Sequence, residues 1–327
     1  MASTRGTTGS PSASLGGGFL YTFAAYLAWG LFPLYFAALL PSNPYEVVVY
    51  RVVFSLLFCV LLITVTRSWR SLVNVAKQPR LVWGLGLSGV LIFITWEVFI
   101  LAVDANLVVE TALGYFISPL VSVALGVIFL RERLRPLQWV AVGLGGVAVV
   151  VMAFGINVLT LSIPLVLAAA FGTYGLVRKK LTAHVNAIEG LALETAMVMP
   201  IVVVQFVVVS QVVGIGLFDL GPGHATLLML SGVVTAVPML LFAAGAKRLP
   251  LSTIGLIQFV APLSSFLLGI FFFQQVMPPL EWAGFILVWC ALILFIVDML
   301  RNARTSRGAR RVARGNSVEE APEPLPE

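Results

Sequence analysis

A long stretch of the sequence occurs twice, 143 residues apart. Pro119 precedes Pro262 by this offset, and the register continues without a gap through matching glycine, proline and tryptophan positions. In the flanking sequence, Pro136, Leu137 and Trp139 match Pro279, Leu280 and Trp282 at the same offset. Single identities mean little in apolar sequence, but glycine, proline and tryptophan pairs held in one register indicate an internal repeat. The fold must therefore accommodate a duplicated unit.

Most of the repeated sequence is apolar enough to lie in a membrane. The chain has 327 residues, of which 60% are hydrophobic and only 10% charged, and this composition excludes a soluble globular protein. A helix needs roughly 20 apolar residues to cross the hydrocarbon. Ten such runs are present: Phe19–Leu40, Val47–Thr66, Leu81–Val103, Leu107–Leu130, Leu137–Phe154, Leu161–Val177, Ile188–Val213, Ala225–Ala246, Leu251–Phe273 and Leu280–Leu300. The sequence predicts an all-α membrane protein with ten transmembrane helices, five in each half.

Four segments follow from this pattern. Residues 1–18 are rich in Ser, Thr and Gly and are predicted to form a disordered tail. The two five-helix repeats are predicted at 19–155 and 156–300, and a second disordered tail, first basic and then acidic, at 301–327. Arginines at a membrane face usually anchor topology or contact anionic lipid. The predicted partner is therefore the lipid bilayer, and no nucleic acid is expected.

Lysine and arginine cluster in alternate loops. With the N-terminus in the cytoplasm, the inner loops carry the basic residues of 67–80, 131–135, 178–180 and 247–248, and the outer loops carry none. The distribution predicts a multi-pass protein of the cell (inner) membrane with both termini cytoplasmic. Because five is an odd number, the two halves must be inverted. Inverted repeats are the architecture of alternating-access transporters.

Few residues offer enzyme or metal chemistry. Cys59 and Cys290 lie in different apolar helices and are interpreted as small buried hydrophobic residues. The two histidines, His184 and His224, fall in loops on opposite sides of the membrane. No catalytic residue, metal site or cofactor is predicted. There is no ATP-hydrolysing motif, so transport would be passive or driven by an ion or solute gradient.

Charges inside predicted helices are costly and usually face a cavity or a partner, and four of them are candidates for the pathway. They are Arg51, Glu97, Glu110 and Glu194, the first three in the outer third of the membrane. We predict a polar pocket in which Arg51 pairs with a carboxylate, with Glu110 the better candidate for proton or cation exchange. Two alternatives stay open: the helix macrodipole alone favours Glu110 at a helix N-terminus, and Arg51 can extend outward to the interface.

Aromatic and amide side chains complete the predicted pathway. Tyr26 and Trp29 lie in the first helix, and Tyr115 and Gln258 occupy equivalent repeat positions, four residues before the two repeated prolines. These prolines free backbone carbonyls in mid-membrane and predict paired helix bends that let one bundle move against the other. The alternative is that proline is simply common in membrane helices.

Several motifs resemble a known family. They are AAYLAWGLFPLYF (24–36), ETALGYFISPL (110–120), LRERLRPLQW (130–139), YGLVRKK (174–180) and GVVTAVPMLLFAAGAKRLPLSTIGLIQFVAP (232–262). The chain resembles the EamA type of the drug/metabolite transporter superfamily, and more closely its RarD-like branch, often labelled chloramphenicol-sensitive. The resemblance covers nearly the whole membrane region. It implies an inner-membrane permease for a small metabolite or drug, whose physiological substrate is generally unassigned.

The resemblance also bears on the pathway residues. It implies that Arg51, Glu110, Tyr115 and Glu194 match residues of the branch, whereas three positions depart from its pattern: Tyr50, Glu97 and Gln275. The predicted function is secondary active, proton- or solute-coupled export of a small solute by alternating access. A membrane enzyme acting on lipid-linked groups and a non-transporting partner or sensor are the alternatives, and homodimer formation stays open.

Overall fold

The computed structural model describes residues 11–105, 107–154, 161–212, 216–272 and 282–298, together with residues 214, 274, 279 and 301. Regular structure in this part of the chain is entirely α-helical, as the composition predicts. The helices are α1 (Pro11–Gly30), α2 (Phe32–Ala38), α3 (Pro44–Val65), α4 (Trp69–Ala76), α5 (Pro79–Asp104), α6 (Val108–Leu130), α7 (Pro136–Ala153), α8 (Ser162–Leu181), α9 (Ala187–Val212), α10 (Pro222–Ala246), α11 (Leu251–Ile257), α12 (Val260–Phe271) and α13 (Trp282–Asp298).

Seven spans within the described residues are long and apolar enough to cross a membrane. The first joins α1 to α2, and the others lie in α3, α5, α6, α7, α9 and α10. The apolar stretch of α11 with α12 and that of α13 are shorter, and α8 ends in three consecutive basic residues. A multi-pass membrane protein follows from these spans. The count of ten transmembrane helices and the inverted arrangement stay predictions.

The sequence repeat reappears in the helix boundaries. Three pairs of helices begin 143 positions apart: Pro44 and Ala187, Pro79 and Pro222, and Val108 and Leu251. The positions that follow α6 and α12 also share a backbone feature, because Arg131 and Gln274 both have positive φ, 54° and 51°. Non-glycine residues adopt this conformation rarely. The two halves therefore share local structure as well as sequence.

Local sequence explains where several helices begin. Helices α3, α5, α7 and α10 each start at a proline, whose fixed φ suits the first helical position and whose missing N–H is not needed there. In α3 the Asn43 side chain also accepts a hydrogen bond of 2.9 Å from the Tyr45 N–H. These helix-start residues come directly after short connections, so the loops between the helices are brief.

The helices of the two halves pack against each other around a shared core. Helix α5 lies on α8 as α10 lies on α1, while α3 contacts both α9 and α10 and α6 contacts α8 and α11. Aromatic rings fill the centre, including Tyr26, Tyr174, Phe242 and Phe259, each at most 1% exposed. Large apolar side chains such as Trp83 remain exposed on the outside, which suits a lipid-facing surface.

The first predicted helix begins earlier than expected, and it is divided at Leu31 into α1 and α2. Helix α1 begins at Pro11 and so covers the last part of the predicted tail 1–18; residues 1–10 lie outside the described residues. Of the glycines there, Gly18 serves close packing, since a Cβ on it would lie 2.8 Å from the Arg248 Cβ. The predicted tail 301–327 lies outside the described residues except for Arg301.

The helices that carry the two repeated prolines differ in their continuity. The helix is interrupted between Ile257 and Val260, just before Pro262, whereas α6 continues through Pro119. Proline has no N–H to donate, and its ring crowds the carbonyl four residues earlier, which accounts for a break at this point. The structure therefore shows an interruption in the second half, and the mechanical role of the pair stays a prediction.

One cysteine interpretation needs correction. Cys59 is buried in the core as expected, but Cys290 of α13 is exposed. Periodicity did not reveal this, because an outward-facing position on a lipid-facing helix is as apolar as a buried one.

Candidate functional site

Arg51 of α3 is held among aromatic rings inside the bundle. Its guanidinium carbon lies 4.2 Å from the ring centroid of Trp96, 5.9 Å from Phe32 and 5.7 Å from Phe36. Its Nε–H donates to the Thr235 hydroxyl at 3.2 Å. A desolvated cation–π contact stabilises by about 2 kcal/mol or more. Only 7% of Arg51 is exposed, which argues against the alternative that its side chain extends outward.

Trp96, Phe32 and Phe36 form an aromatic cage around Arg51, and two other predicted pathway residues lie on α6. The Tyr115 ring packs 6.0 Å from that of Phe99 on α5, the helix that also carries Trp96. Glu110 lies in the first turn of α6 and is half-buried. The structure thus brings Tyr115 to a helix that forms part of the cage, while the pairing of Arg51 with Glu110 stays a prediction.

Glu194 has a partner that the sequence analysis assigned to a loop. The Arg178 Nη1 lies 3.0 Å from the Glu194 Oε2, and each side chain is only 2% exposed. Arg178 lies in the last turn of α8 and not in an inner loop, which corrects its use as a topology marker. Tyr174 and Ser88 border the same carboxylate. A buried ion pair therefore lies inside the bundle, at the contact of α8 with α9.

Glu97 belongs to a separate polar contact. Trp96 faces Arg51, whereas Glu97, the next residue of α5, is near the Gln205 amide of α9. The Glu97 Oε1 is buried, and within the described part of the chain it has no hydrogen-bond partner. The structure therefore separates the surroundings of Glu97 from those of Arg51.

Gln258 connects three segments at the helix break. Its Oε1 accepts from the Tyr26 hydroxyl at 3.4 Å and from Ser122 at 3.3 Å, and its Nε2 donates to Ser118 at 2.8 Å. Tyr26 also packs its ring 5.1 Å from that of Trp29. Buried amides are normally fully hydrogen-bonded. Two predicted pathway residues, Tyr26 and Gln258, thus join Ser118 and Ser122 in one network between α1, α6 and the break before α12.

A small cavity lies between α3, α5, α9 and α10. It holds about 20 Å³, room for about one water molecule. Its polar lining comes from Ser55, Trp96, Glu194, Thr195 and Thr235. Two of these, Trp96 and Thr235, also contact Arg51, so the cavity links the Arg51 cage to the buried ion pair of Glu194.

Several of these residues were missed by reasoning from sequence. Trp96 and Thr235 carry no charge and lie in apolar runs, so nothing singled them out. Arg178 gave one signal: it continues the stripe of Leu167 and Tyr174 on α8, all buried at helical spacing. Within the described residues, no group of three or more His, Cys, Asp or Glu side chains is arranged to hold a metal ion.

Comparison with known proteins adds the family. The model of the EamA-like transporter family matches residues 16–154 and again residues 160–297. The chain belongs to this family. The two matches cover both halves of the sequence repeat, and the identification made from the sequence motifs is confirmed. The chain is therefore a multi-pass membrane protein of a transporter family.

Relatives with similar sequences extend over nearly the whole chain. Protein RarD of Streptomyces exfoliatus is 44% identical, and the alignment covers 90% of this chain and 93% of the relative. The uncharacterized transporter YojE of Bacillus subtilis (strain 168) is 38% identical, covering 89% and 97%. A solved structure titled "Crystal structure of protein" has a TM-score of 0.66 and 17% identity, covering 88% of this chain and 99% of its own, and it shows the fold alone.

Proposed function

We propose that the protein is a permease that moves a small metabolite or drug-like solute across the cell membrane by alternating access. The observation that carries this proposal is the small cavity between α3, α5, α9 and α10, a mostly apolar space with the buried charges of Arg51 and Glu194 beside it, in a chain of a transporter family. Buried charges in a membrane protein are expensive and usually serve a pathway. The named transporters among the relatives favour this function over an enzyme.

The proposed architecture is ten transmembrane helices in two inverted repeats, 19–155 and 156–300, with both termini in the cytoplasm. The shared register of helix starts and the exchange of packing partners between the halves support it. Inverted repeats place the binding site near the bilayer midplane, where the halves meet. The cavity lies at such a contact, since α3 and α5 come from the first repeat and α9 and α10 from the second.

The pathway residues have distinct proposed roles. Arg51, fixed by Trp96 and Thr235, binds an acceptor group of the solute, because a guanidinium offers several donors in a fixed plane. Glu110 and Glu194 are the candidates for coupling to a proton or cation, which would make the protein a secondary active exporter. With room for about one water molecule, the cavity is too small for a metabolite in this conformation, so solute entry requires helices to separate.

Flux into proteoliposomes tests the proposal. Purified protein is reconstituted, and uptake of radiolabelled chloramphenicol and of solutes that raise its Tm is followed with and without a proton gradient. A permease moves at least one solute unchanged, as mass spectrometry of the recovered compound verifies. A solute that is covalently altered indicates an enzyme, and a stabilising ligand that never crosses indicates a sensor.

A further inference from the structure

The turn between α10 and α11, residues 247–250, is held by a carboxylate from the other half of the chain. Glu132 lies in the hairpin after α6. Its Oε1 accepts the Leu251 N–H at 2.7 Å, and its Oε2 accepts the Ser252 N–H at 2.8 Å. The fit is close, because a Cβ on Gly126 would lie 2.9 Å from the Glu132 Oε2. One carboxylate thus joins the first N–H groups of α11 to the hairpin of the first half.

A lysine from α8 holds the other side of the same turn. The Lys179 Nζ donates to the Ala246 carbonyl at 2.6 Å and to the Leu249 carbonyl. The cation therefore lies at the C-terminus of α10 and the carboxylate at the N-terminus of α11, the ends that the helix dipoles favour for each charge. Hydrogen bonds with one charged partner are also the stronger ones. We call Glu132 and Lys179, with the turn between them, the clamp.

The repeat allows the clamp to be compared with its counterpart in the other half. At the offset of 143, the turn between α5 and α6 corresponds to the clamped turn, Glu132 corresponds to Gln275, and Lys179 corresponds to Phe36. The register holds at the lysine, since α2 ends at Ala38 and α8 at Leu181. Gln275 lies outside the described residues, so this comparison rests on its sequence position. Both charges of the clamp are neutral in the counterpart.

We propose that the clamp is a gate which keeps its end of the solute pathway closed in the resting state, so that the opposite end, with its neutral counterparts, opens first. The clamped turn joins α10, which carries Thr235 of the cavity, to α11, which leads to Gln258. Releasing it removes the hydrogen bonds that tie this turn to the hairpin after α6 and to α8. This proposal rests on the proposed transport function. The predicted topology places the gate on the cytoplasmic side of the membrane.

Distances between spin labels test the gate without a substrate. In a Cys59→Ala, Cys290→Ala background, Arg131→Cys with Arg248→Cys reports on the clamped end. The matched pair at the other end is Gln274→Cys with Ala105→Cys, displaced by the same offset. All four positions are exposed. We expect one narrow distance at the clamped end of the purified, reconstituted protein and a broader distribution at the other.

Substitutions in the clamp then decide the proposal. Glu132→Gln keeps the shape but removes the charge, and Lys179→Met removes the other one; each is expected to raise the open-to-closed ratio at the clamped end about tenfold, the effect of losing a charge-assisted hydrogen bond. Arg133→Gln, an exposed change in the same hairpin, is the control and leaves the ratio unchanged. Unchanged distances in both clamp variants would overturn the gate.

A third variant covers the case in which the clamp variants do not fold. Gln275→Glu restores a carboxylate to the neutral end and is expected to narrow the Gln274–Ala105 distribution; no narrowing contradicts the proposed asymmetry. Failure of the transport proposal is recognised separately. A chain that moves no solute but shows the expected distance changes retains the gate and loses only the permease function.

Discussion

Removing one partner of the buried ion pair between Arg178 and Glu194 is expected to destabilise the protein far more than removing both. The two side chains are 3.0 Å apart and each 2% exposed, so neither charge has access to solvent. Glu194→Leu leaves a buried guanidinium without its counter-charge, and Arg178→Met leaves a buried carboxylate. Each loss is expected to cost about 3–5 kcal/mol, while the double substitution approaches neutrality.

A double-mutant cycle measures this coupling. For each variant, the Tm in detergent is measured from the fraction of protein that stays monodisperse after heating. Each single substitution is expected to lower this Tm by roughly 10 °C. The double variant is expected to recover most of that fall. With single costs of about 3–5 kcal/mol each and a nearly neutral double variant, the coupling free energy is roughly 6–10 kcal/mol, more than residues in contact usually show.

The chain offers a matched control for the cycle. Arg135 and Asp298 are 2.7 Å apart; the Asp298 side chain is only 9% exposed, but Arg135 is 37% exposed, so solvent screens this pair more than it screens Arg178 and Glu194. Arg135→Met and Asp298→Leu are expected to cost at most about 1 kcal/mol each and to add without coupling. If the Arg178 and Glu194 substitutions are additive as well, the burial reasoning for Glu194 is refuted.

Three further predictions concern packing, the aromatic cage and topology. Gly255→Ala is expected to cost about 1–3 kcal/mol, measured by Tm, because its Cβ would lie 2.9 Å from the Pro119 carbonyl oxygen, whereas Gly143→Ala, with open space around it, is neutral or stabilising. Arg51→Lys is expected to keep the fold and lose most flux, because an ammonium lacks the planar stacking of the guanidinium; full flux would contradict a binding role. An impermeant thiol reagent applied to intact cells is expected to label single cysteines placed at Asn43 and His224, on the outside. It is expected to spare cysteines placed at Lys77 and Arg133, on the inside, and the reverse pattern would exclude the predicted topology.

The helices and the family were predictable because both depend on local sequence. Runs of about 20 apolar residues must be helical in a membrane, since no water is present to satisfy the backbone. The repeat was also predictable from local sequence, because proline residues fix where helices start and glycine residues allow close helix contacts, and both recur at a fixed spacing. Pro79 and Pro222 indeed begin equivalent helices.

The partners of the charged residues depend on packing and were not predictable. Arg51 was singled out correctly as a buried charge, but its contacts come from Trp96 and Thr235, which are 45 and 184 positions away and look ordinary in sequence. Arg178 stood in a run of three basic residues and was assigned to a loop. Only its helical alignment with Tyr174 distinguishes it from the two lysines that follow it.

Protection of a cysteine in the cavity by transported solute tests the central claim most directly. Thr235→Cys, in the background without native cysteines, places a thiol in the cavity lining, and Trp83→Cys places one on the lipid-facing surface, where Trp83 is 75% exposed. The account predicts that alkylation at position 235 stops flux in proteoliposomes, that excess solute slows this alkylation, and that modification at position 83 does neither. Flux that continues after complete alkylation at position 235 would contradict a solute pathway through this cavity.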